Sequence, residues 1–202
     1  AYGASVLCFL ARIEGRPLGL LVSNCAVNGG ALDASAADKA AQHLQRCQAL
    51  GLPILSLIDT PGFMVGPEAE SQGQVRASGR LFLAAAKLTV PLVSVVLRRA
   101  YGLGAMALAG GSLHAPLMSL AWPSGEFGAM GLEGAVRLGY RKELQALPEG
   151  PERQALFERL LATQVDNGRA LHMAEMLEID AVIDPAETRA HLVHLLGRPP
   201  RP

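Results

Sequence analysis

The sequence has few aromatic residues and no long uninterrupted apolar run, and each shortage excludes a class of protein. Aromatic residues make up 4% of the 202 positions, so the core has to be built from aliphatic side chains. The 22 glycines allow the close backbone approach that such a core needs. The longest apolar stretch, residues 90–111, is interrupted by Arg98 and Arg99, which argues against a membrane span. No basic segment followed by a cleavage site opens the sequence, so secretion is not expected.

The chain also lacks an excess of charge of either sign. Lys plus Arg number 18 and Asp plus Glu number 18, so the formal net charge is zero. We therefore expect neither a nucleic acid nor a membrane surface as a partner. Half of the residues are hydrophobic, which excludes an intrinsically disordered chain.

Cysteines and histidines form no metal-binding pattern. Cys8, Cys25 and Cys47 are an odd set without a Cys-x-x-Cys pair, which predicts free thiols in a reducing compartment, by default the cytoplasm. His191 and His194 share a helix face, but no third ligand accompanies them, so we expect them at the solvated surface. We expect no metal site in this chain.

Strand and helix patterns alternate along the chain, which predicts an α/β fold with a mostly parallel sheet. The predicted strands are 6–13, 17–22, 53–58, 91–97, 117–121 and 181–183, and the predicted helices are 33–50, 71–88, 102–109, 152–165, 170–176 and 187–196. A break at 148–151 introduces a helical C-terminal part. We expect one domain over 1–197 and a frayed tail over 198–202.

Two loops at strand ends are unusual, and ligands of open α/β sheets bind outside the carboxyl ends of the strands. One loop is 59–63, and the other is 101–105, which leads into a helix of Gly, Ala, Leu and Met. A glycine-lined helix start exposes backbone N–H groups that can hold a phosphate or a developing oxyanion. The alternative is that these small residues only allow a helix to pack closely on the sheet.

The second loop also matches a dinucleotide fingerprint, Gly102-x-Gly104-x-x-Ala107. We reject that interpretation because the predicted strand ends at Leu97, five residues before Gly102, and because no acidic residue follows the next strand to bind a ribose. The sequence has no Gly-x-Ser-x-Gly motif and no P-loop. An enzyme of this sequence would therefore act through backbone amides and a bound substrate.

Several longer segments resemble the carboxyltransferase (β) subunit of biotin-dependent acyl-CoA carboxylases of the propionyl-CoA and acetyl-CoA type. They are ARIEGRPLG (11–19), DKAA (38–41), LPILSLIDTPGF (52–63), VPLVSVVLRRAYG (90–102), AWP (121–123), MGLEGAV (130–136) and DAVIDP (180–185) followed by Thr188 and Arg189. The resemblance runs in order from about residue 3 to residue 196. It covers only the C-terminal one of the two halves that subunits of this family carry.

The resemblance implies the crotonase fold, a spiral of ββα units, and an enzyme that transfers a carboxyl group from carboxybiotin to the α carbon of an acyl-CoA. It implies that this half carries the biotin-side contacts, and that the N-terminal half, which provides most of the CoA site, is missing or is a separate polypeptide. The implied partners are the acyl-CoA substrate, the N-terminal half, and a biotin carboxyl carrier protein or biotin carboxylase subunit that carries the biotin.

The implied chemistry passes through enolates of biotin and of the acyl-CoA, which are oxyanions that paired backbone donors can stabilise. The resemblance assigns these donors to the N–H groups of Leu103 and Gly104, with Gly102 and Ala105 shaping the turn. A Cβ at Gly104 is expected to intrude where the ligand approaches, so Gly104→Val should lower activity far more than stability. The residues predicted to line the substrate pocket are Tyr101, Met106, Thr60, Pro61, Gly62, Phe63, Ala129, Met130 and Gly131.

Three departures from the family pattern leave alternatives open. Met106 stands where propionyl-type relatives have Asp, Phe9 and Leu10 replace a glycine and an aromatic residue, and segment 23–25 reads Ser-Asn-Cys. The alternatives are a biotin-independent crotonase-fold hydratase, isomerase or decarboxylase, or a non-catalytic scaffold half.

Association is a further expectation. The runs 84–86 and 106–108 contain more apolar residues than one isolated core needs, so we expect a homodimer or larger oligomer.

Overall fold

The computed structural model describes residues 2–196, in which strands and helices alternate. The strands are β1 (Val6–Ile13), β2 (Arg16–Ser23), β3 (Ile54–Thr60), β4 (Leu92–Tyr101), β5 (Met118–Ala121), β6 (Glu126–Gly128) and β7 (Ala181–Val182). The α-helices are α1 (Ala34–Leu50), α2 (Pro67–Ser71), α3 (Gln74–Ala86), α4 (Gly102–Leu108), α5 (Leu132–Gly139), α6 (Arg141–Ala146), α7 (Pro151–Asn167), α8 (Ala170–Glu175) and α9 (Thr188–Leu196), with short 3₁₀ turns at Asn28–Gly30 and Pro185–Glu187. The tail predicted over 198–202 lies outside the described residues.

The strands form one sheet in the order β1-β2-β3-β4-β5-β7, with β6 paired to the end of β4. Only the β1–β2 hairpin is antiparallel among these pairings, which confirms the predicted α/β class. Strand β4 pairs with β5 through residues 93–96 and with β6 through residues 99–101. The sheet therefore divides at the carboxyl end of β4, where the second predicted loop begins.

Helices α1 and α3 cover one face of the sheet through small side chains. The α1 residues that face the sheet include Ala36, Ala37 and Ala40, each with no exposed surface. Asp33 begins α1 by accepting the N–H of Ala36 at 2.7 Å, and Gly51 ends it in the left-handed region at φ 65°, as each residue type predicts.

Helix α1 packs closely on the sheet at Gly19 of β2. A Cβ at Gly19 would collide with Sγ of Cys47 and lie 3.3 Å from Nε2 of His43. His43 is only 6% exposed, and its burial, together with Arg46, lowers the imidazole pKa. A residue larger than glycine therefore fits here only if the Cys47 side chain or α1 shifts.

The structure changes several predicted boundaries. Strands β3 and β4 run on to Thr60 and Tyr101, since Asp59 neutralises Arg98 and Arg99 within the sheet. The argument that Gly102 lies five residues beyond its strand is thus wrong, because Gly102 follows β4 directly. The helix predicted over 71–88 is α3, which begins only at Gln74 because Gly73, with φ 79°, separates it from the short helix α2 that was not predicted.

Helices α5 and α6 and strand β6 were not predicted, whereas the helical C-terminal part is confirmed. The runs 84–86 and 106–108 belong mostly to the chain's own core: Ala84, Ala85, Ala107 and Leu108 are at most 5% exposed. Of the two runs only Ala86 and Met106 are exposed, so they supply less apolar surface than the sequence suggested. None of the helices between residues 2 and 196 is long and apolar enough to cross a membrane.

Substituting Gly19 by alanine tests how tightly α1 packs on the sheet. Gly19→Ala should lower the free energy of unfolding by about 1–3 kcal/mol, because the added methyl group overpacks a closed site. In a Cys47→Ala background the same change should cost less, since the sulfur is gone. Urea unfolding followed by the fluorescence of Trp122 measures both costs, and equal costs in the two backgrounds would contradict the packing described here.

Candidate functional site

The two loops singled out in the sequence lie against each other at the carboxyl ends of β3 and β4. A Cβ on Gly104 would lie 2.7 Å from the carbonyl carbon of Gly62 and 2.9 Å from the backbone nitrogen of Phe63. Gly62 has φ 113°, and a Cβ there would lie 3.2 Å from the carbonyl oxygen of Tyr101. The loops thus touch backbone to backbone, which only glycine at these positions allows.

This contact corrects the expectation for Gly104. A Cβ at this position would point toward the 62–63 backbone rather than toward an approaching ligand. Because neither neighbour is a movable side chain, Gly104→Val has to separate the two loops, and the substitution should lower stability together with activity. Gly104 is therefore an unsuitable position for testing a role in catalysis.

The buried side chain of Thr60 stabilises the first loop through hydrogen bonds. Its hydroxyl donates a hydrogen bond to the carbonyl oxygen of Gly30 at 2.8 Å and accepts one from the N–H of Gly62 at 3.1 Å. On the other side of the turn, the N–H of Leu32 donates to the carbonyl oxygen of Gly62 at 2.9 Å. Thr60 has no exposed surface, so within this chain it positions Gly62 and offers no surface to a ligand.

The second loop presents backbone donors at the start of α4. Gly102 takes φ 58°, and a Cβ there would lie 2.8 Å from the carbonyl oxygen of Ala129. Tyr101 precedes the helix with extended backbone and caps no N–H group with its side chain. The N–H groups of Leu103 and Gly104 belong to the first turn, where the helix itself supplies no acceptor. Leu103 is 63% exposed, whereas Gly104 is buried against the 62–63 backbone.

Tyr101 is held by a residue that sequence reasoning missed. Its side chain is 6% exposed, and its hydroxyl donates a hydrogen bond to the carboxylate of Glu126. Glu126 begins β6, which pairs with β4 so that Glu126 lies opposite Arg99 and Gly128 lies opposite Tyr101. The Tyr101 hydroxyl therefore binds a residue two positions before its own strand partner. A three-residue strand gives no periodicity from which this pairing could have been predicted.

A network of charged residues is centred on Asp59, near the end of β3, where the first loop begins. Its carboxylate accepts hydrogen bonds from Nε of Arg98 at 2.9 Å and from Nε of Arg99 at 3.0 Å. Arg99 also donates to the carbonyl oxygen of Gly29 at 2.7 Å, and the Cys25 thiol donates to the Asp59 carbonyl oxygen at 3.3 Å. Burial opposes ionisation of Asp59, but the hydrogen bonds from Cys25, Arg98 and Arg99 outweigh it and lower the pKa of its carboxyl.

Other predicted site residues divide between the interior and the surface. Phe63 packs against Phe82 with ring centroids 6.5 Å apart, and Ala105 is buried, so these side chains stabilise the loops. Met106 and Met130 are 40% and 41% exposed. The remaining predicted residues are Pro61, which is half-buried, Ala129, which is exposed, and Gly131, which precedes α5.

Exposed apolar side chains lie on the two loops or next to them in the chain. Met64 and Val65, which follow the first loop, are 37% and 82% exposed, and Leu103 and Met106 are exposed on α4. Met130 follows Ala129, whose carbonyl oxygen lies against Gly102. Residues 2–196 contain no group of three or more His, Cys, Asp or Glu that could hold a metal ion. The chemistry that this surface can supply is hydrogen bonding to an oxyanion beside an apolar ligand.

Comparison with known proteins identifies the family. Residues 1–197 match the family described as the carboxyl transferase domain. The chain belongs to this family. It is 36% identical over 197 residues to the propionyl-CoA carboxylase beta chain of Saccharopolyspora erythraea, covering 96% of this chain and 36% of the relative. It is 34% identical over 195 residues to the methylmalonyl-CoA carboxyltransferase 12S subunit of Propionibacterium freudenreichii subsp. shermanii, covering 96% of this chain and 37% of that subunit.

Solved structures of carboxylases share the fold. A single-chain, multi-domain long-chain acyl-CoA carboxylase is 52% identical with a TM-score of 0.86, covering 96% of this chain and 19% of that chain. The hexameric transcarboxylase 12S with methylmalonyl-CoA bound is 32% identical with a TM-score of 0.88, covering 98% and 38%. The predicted crotonase-like fold is confirmed. The chain spans little more than a third of the length of the curated relatives it matches.

Replacing Asp59 by asparagine tests the charged network. Asp59→Asn should lower the free energy of unfolding at pH 7 by about 1–3 kcal/mol, because hydrogen bonds to a buried carboxylate are lost. The pKa of Asp59 is lowered on folding, so its contribution is present well above the ordinary value of 3.8 and is lost as the pH falls through the lower folded pKa. The difference between the two proteins in urea unfolding should therefore shrink below pH 3.8.

Asp38 provides the matched control for this measurement. It pairs with Arg80 at 2.7 Å on the surface, so Asp38→Asn should cost less than about 1 kcal/mol. A difference between wild type and Asp59→Asn that stays constant from pH 7 to pH 3 would show that the Asp59 charge does not stabilise the loops.

Proposed function

We propose that this chain is the biotin-side half of an acyl-CoA carboxyltransferase, in which the N–H groups of Leu103 and Gly104 stabilise an enolate oxygen. The observation that carries the proposal is the pair of N–H groups in the first turn of α4, which have no acceptor within the helix and whose backbone is fixed by the Gly62–Gly104 contact. Membership of the carboxyl transferase domain family supports the same chemistry.

The site has features that suit biotin as the carboxyl donor. Biotin is an apolar bicyclic ring with one ureido oxygen, which matches exposed apolar side chains around two adjacent N–H groups. When bound, it supplies the carboxyl group that is transferred. Leu103 and Gly104 donate to the oxygen on which negative charge develops, while Gly102 and Ala105 hold the backbone in place. Met106, Met130 and Ala129 contact the apolar part of the ligand.

The proposed partners follow from what this chain lacks. The site is open on the side of Leu103, so a second protein surface has to complete the acyl-CoA pocket. We assign that role to an N-terminal carboxyltransferase half, and biotin delivery to a biotin carboxyl carrier protein that acts with a biotin carboxylase subunit. A cytoplasmic location stays a prediction that rests on the free cysteines.

Leu103 allows the backbone donor to be removed without removing a buried side chain. Leu103→Pro deletes one N–H group in the first helical turn, where proline is tolerated. It should lower kcat for carboxyl transfer by about 10²–10³, the usual cost of one lost oxyanion donor. Leu103→Ala keeps the N–H group and should stay within about tenfold of wild type. The assay uses the complete enzyme and the transfer of labelled carboxyl groups to acyl-CoA.

Two further measurements make this test decisive. Melting temperatures of both Leu103 variants show whether the proline variant is folded. Tyr101→Phe, which loses only the hydrogen bond to Glu126, should retain turnover within about tenfold. If Leu103→Pro turns over like Leu103→Ala while Tyr101→Phe is inactive, the backbone-donor assignment is wrong and Tyr101 becomes the candidate acid.

Binding of free biocytin tests the alternative enzyme class. Retained thioester chemistry without binding of free biocytin would favour a biotin-independent crotonase-fold enzyme.

Self-association is proposed from the exposed apolar surface. Phe9 and Leu10 on edge strand β1 are 49% and 65% exposed, and the site adds Leu103, Met106 and Val65. Exposed apolar surface of this extent is typical of interfaces. We expect a homodimer or larger oligomer that buries at least about 2,000 Å² per interface. A single monomeric species in sedimentation velocity at micromolar concentration would contradict this prediction.

A further inference from the structure

A second candidate binding site lies in the helical C-terminal part, on a surface that the proposed reaction does not use. Helices α5 and α6 and the start of α7 enclose a groove of about 410 Å³, a size typical of small-molecule sites. Three arginines line it, Arg137 from α5, Arg141 from α6 and Arg153 from α7, and we call it the arginine groove.

The residues that line the arginine groove carry more positive than negative charge. Glu149 is the acidic residue in its lining, against three guanidinium groups, which leaves two positive charges in excess. The chain as a whole has a formal net charge of zero, so this excess is local. Guanidinium groups that share one groove repel each other, and an anion bound between them would remove that repulsion.

Two of the arginines are held in place by contacts within the protein, and one of them keeps its N–H groups free. The guanidinium of Arg137 lies over the ring of Phe157, 4.5 Å from its centroid. Stacking uses the flat face of the guanidinium, so the five N–H donors around its edge stay available. Arg153 donates from both Nε and Nη2 to the carbonyl oxygen of Leu147, at 2.9 Å and 2.5 Å, and from Nη1 to Glu149 at 3.4 Å.

Ordering these side chains before a ligand arrives lowers the entropic cost of binding. Arg141 is different, because it is exposed and has no ion pair or hydrogen bond with any residue between 2 and 196. The groove therefore combines two fixed guanidinium groups with one mobile one. Forked N–H donors of this kind match the oxygens of phosphate groups, which accept two parallel hydrogen bonds.

We propose that the arginine groove binds a small ligand through its phosphate groups. Arg137 and Arg141 donate to the phosphate oxygens, and Arg153, held by Leu147 and Glu149, adds positive charge beside them. The phosphate can belong to a separate phosphorylated metabolite or to the CoA portion of the substrate. The second source rests on the proposed function. It is supported by the position of α5, which carries Arg137 and begins at Leu132, two residues after Met130 of the candidate site.

Direct binding of inorganic pyrophosphate to the complete enzyme tests the proposal. Titration calorimetry should show saturable binding to the wild type that weakens as the ionic strength rises. Arg141→Gln should raise Kd at least about tenfold, as expected for the loss of a charged hydrogen bond. Arg141→Lys, which keeps the charge but loses the fork, should fall between the two. Arg76→Gln, an exposed arginine on α3, is the control and should bind like the wild type.

The possible outcomes separate this site from the proposed reaction. Failure of millimolar pyrophosphate to bind the wild type, or equal Kd values for wild type and Arg141→Gln, would overturn the proposal even if carboxyl transfer is normal. If CoA competes with pyrophosphate and Arg141→Gln raises KM for acyl-CoA, the phosphate source is the substrate. If CoA does not compete, the ligand is a separate metabolite. Because binding is measured without turnover, an inactive enzyme does not affect the result.

Discussion

The contact between the backbones of Gly62 and Gly104 is the constraint on which the candidate site depends. The two loops leave adjacent parallel strands, so their positions along the sheet are set by the β3–β4 register. The sheet does not determine how closely the two loops approach each other. Because Gly104 has no Cβ, α4 can lie against the 62–63 backbone. That approach determines where the N–H groups of Leu103 and Gly104 point. A side chain at either glycine would move the donors before it affected any ligand.

Hydrogen bonds and ion pairs of Thr60 and Asp59 stabilise the same arrangement of the two loops. Thr60 fixes the Gly62 turn through the Gly30 carbonyl, and Asp59, one residue earlier, fixes the end of β4 through Arg98 and Arg99. Asp59 is largely buried, and a buried carboxylate with a single partner would cost stability. Its several donors explain why the charge is tolerated and why its pKa is lowered despite burial. The site is thus a rigid backbone surface rather than a set of reactive side chains.

Local patterns in the sequence predicted most of this, and pairing between distant segments accounts for what they missed. The apolar strands, the α1 boundaries and the importance of both loops follow from composition and from turn residues such as Asp33 and Gly51. The extension of β4 to Tyr101 could not be predicted, because Arg98 and Arg99 mark a strand end unless the Asp59 partner is known. Glu126 was missed for the same reason, since its role exists only through the pairing of β6 with β4.

The exposure of Leu103 links the proposed chemistry to assembly. Backbone N–H groups stabilise an oxyanion most strongly where water is excluded, because water competes for the same hydrogen bonds. Leu103 is 63% exposed and Met130 is 41% exposed, so in this chain alone solvent reaches the start of α4. The apolar rim of Met64, Met106 and Met130 provides a surface on which a second protein body can pack. We therefore expect the N–H groups of Leu103 and Gly104 to accelerate the reaction only when that surface is covered. Association is then a requirement of the proposed chemistry rather than an independent property.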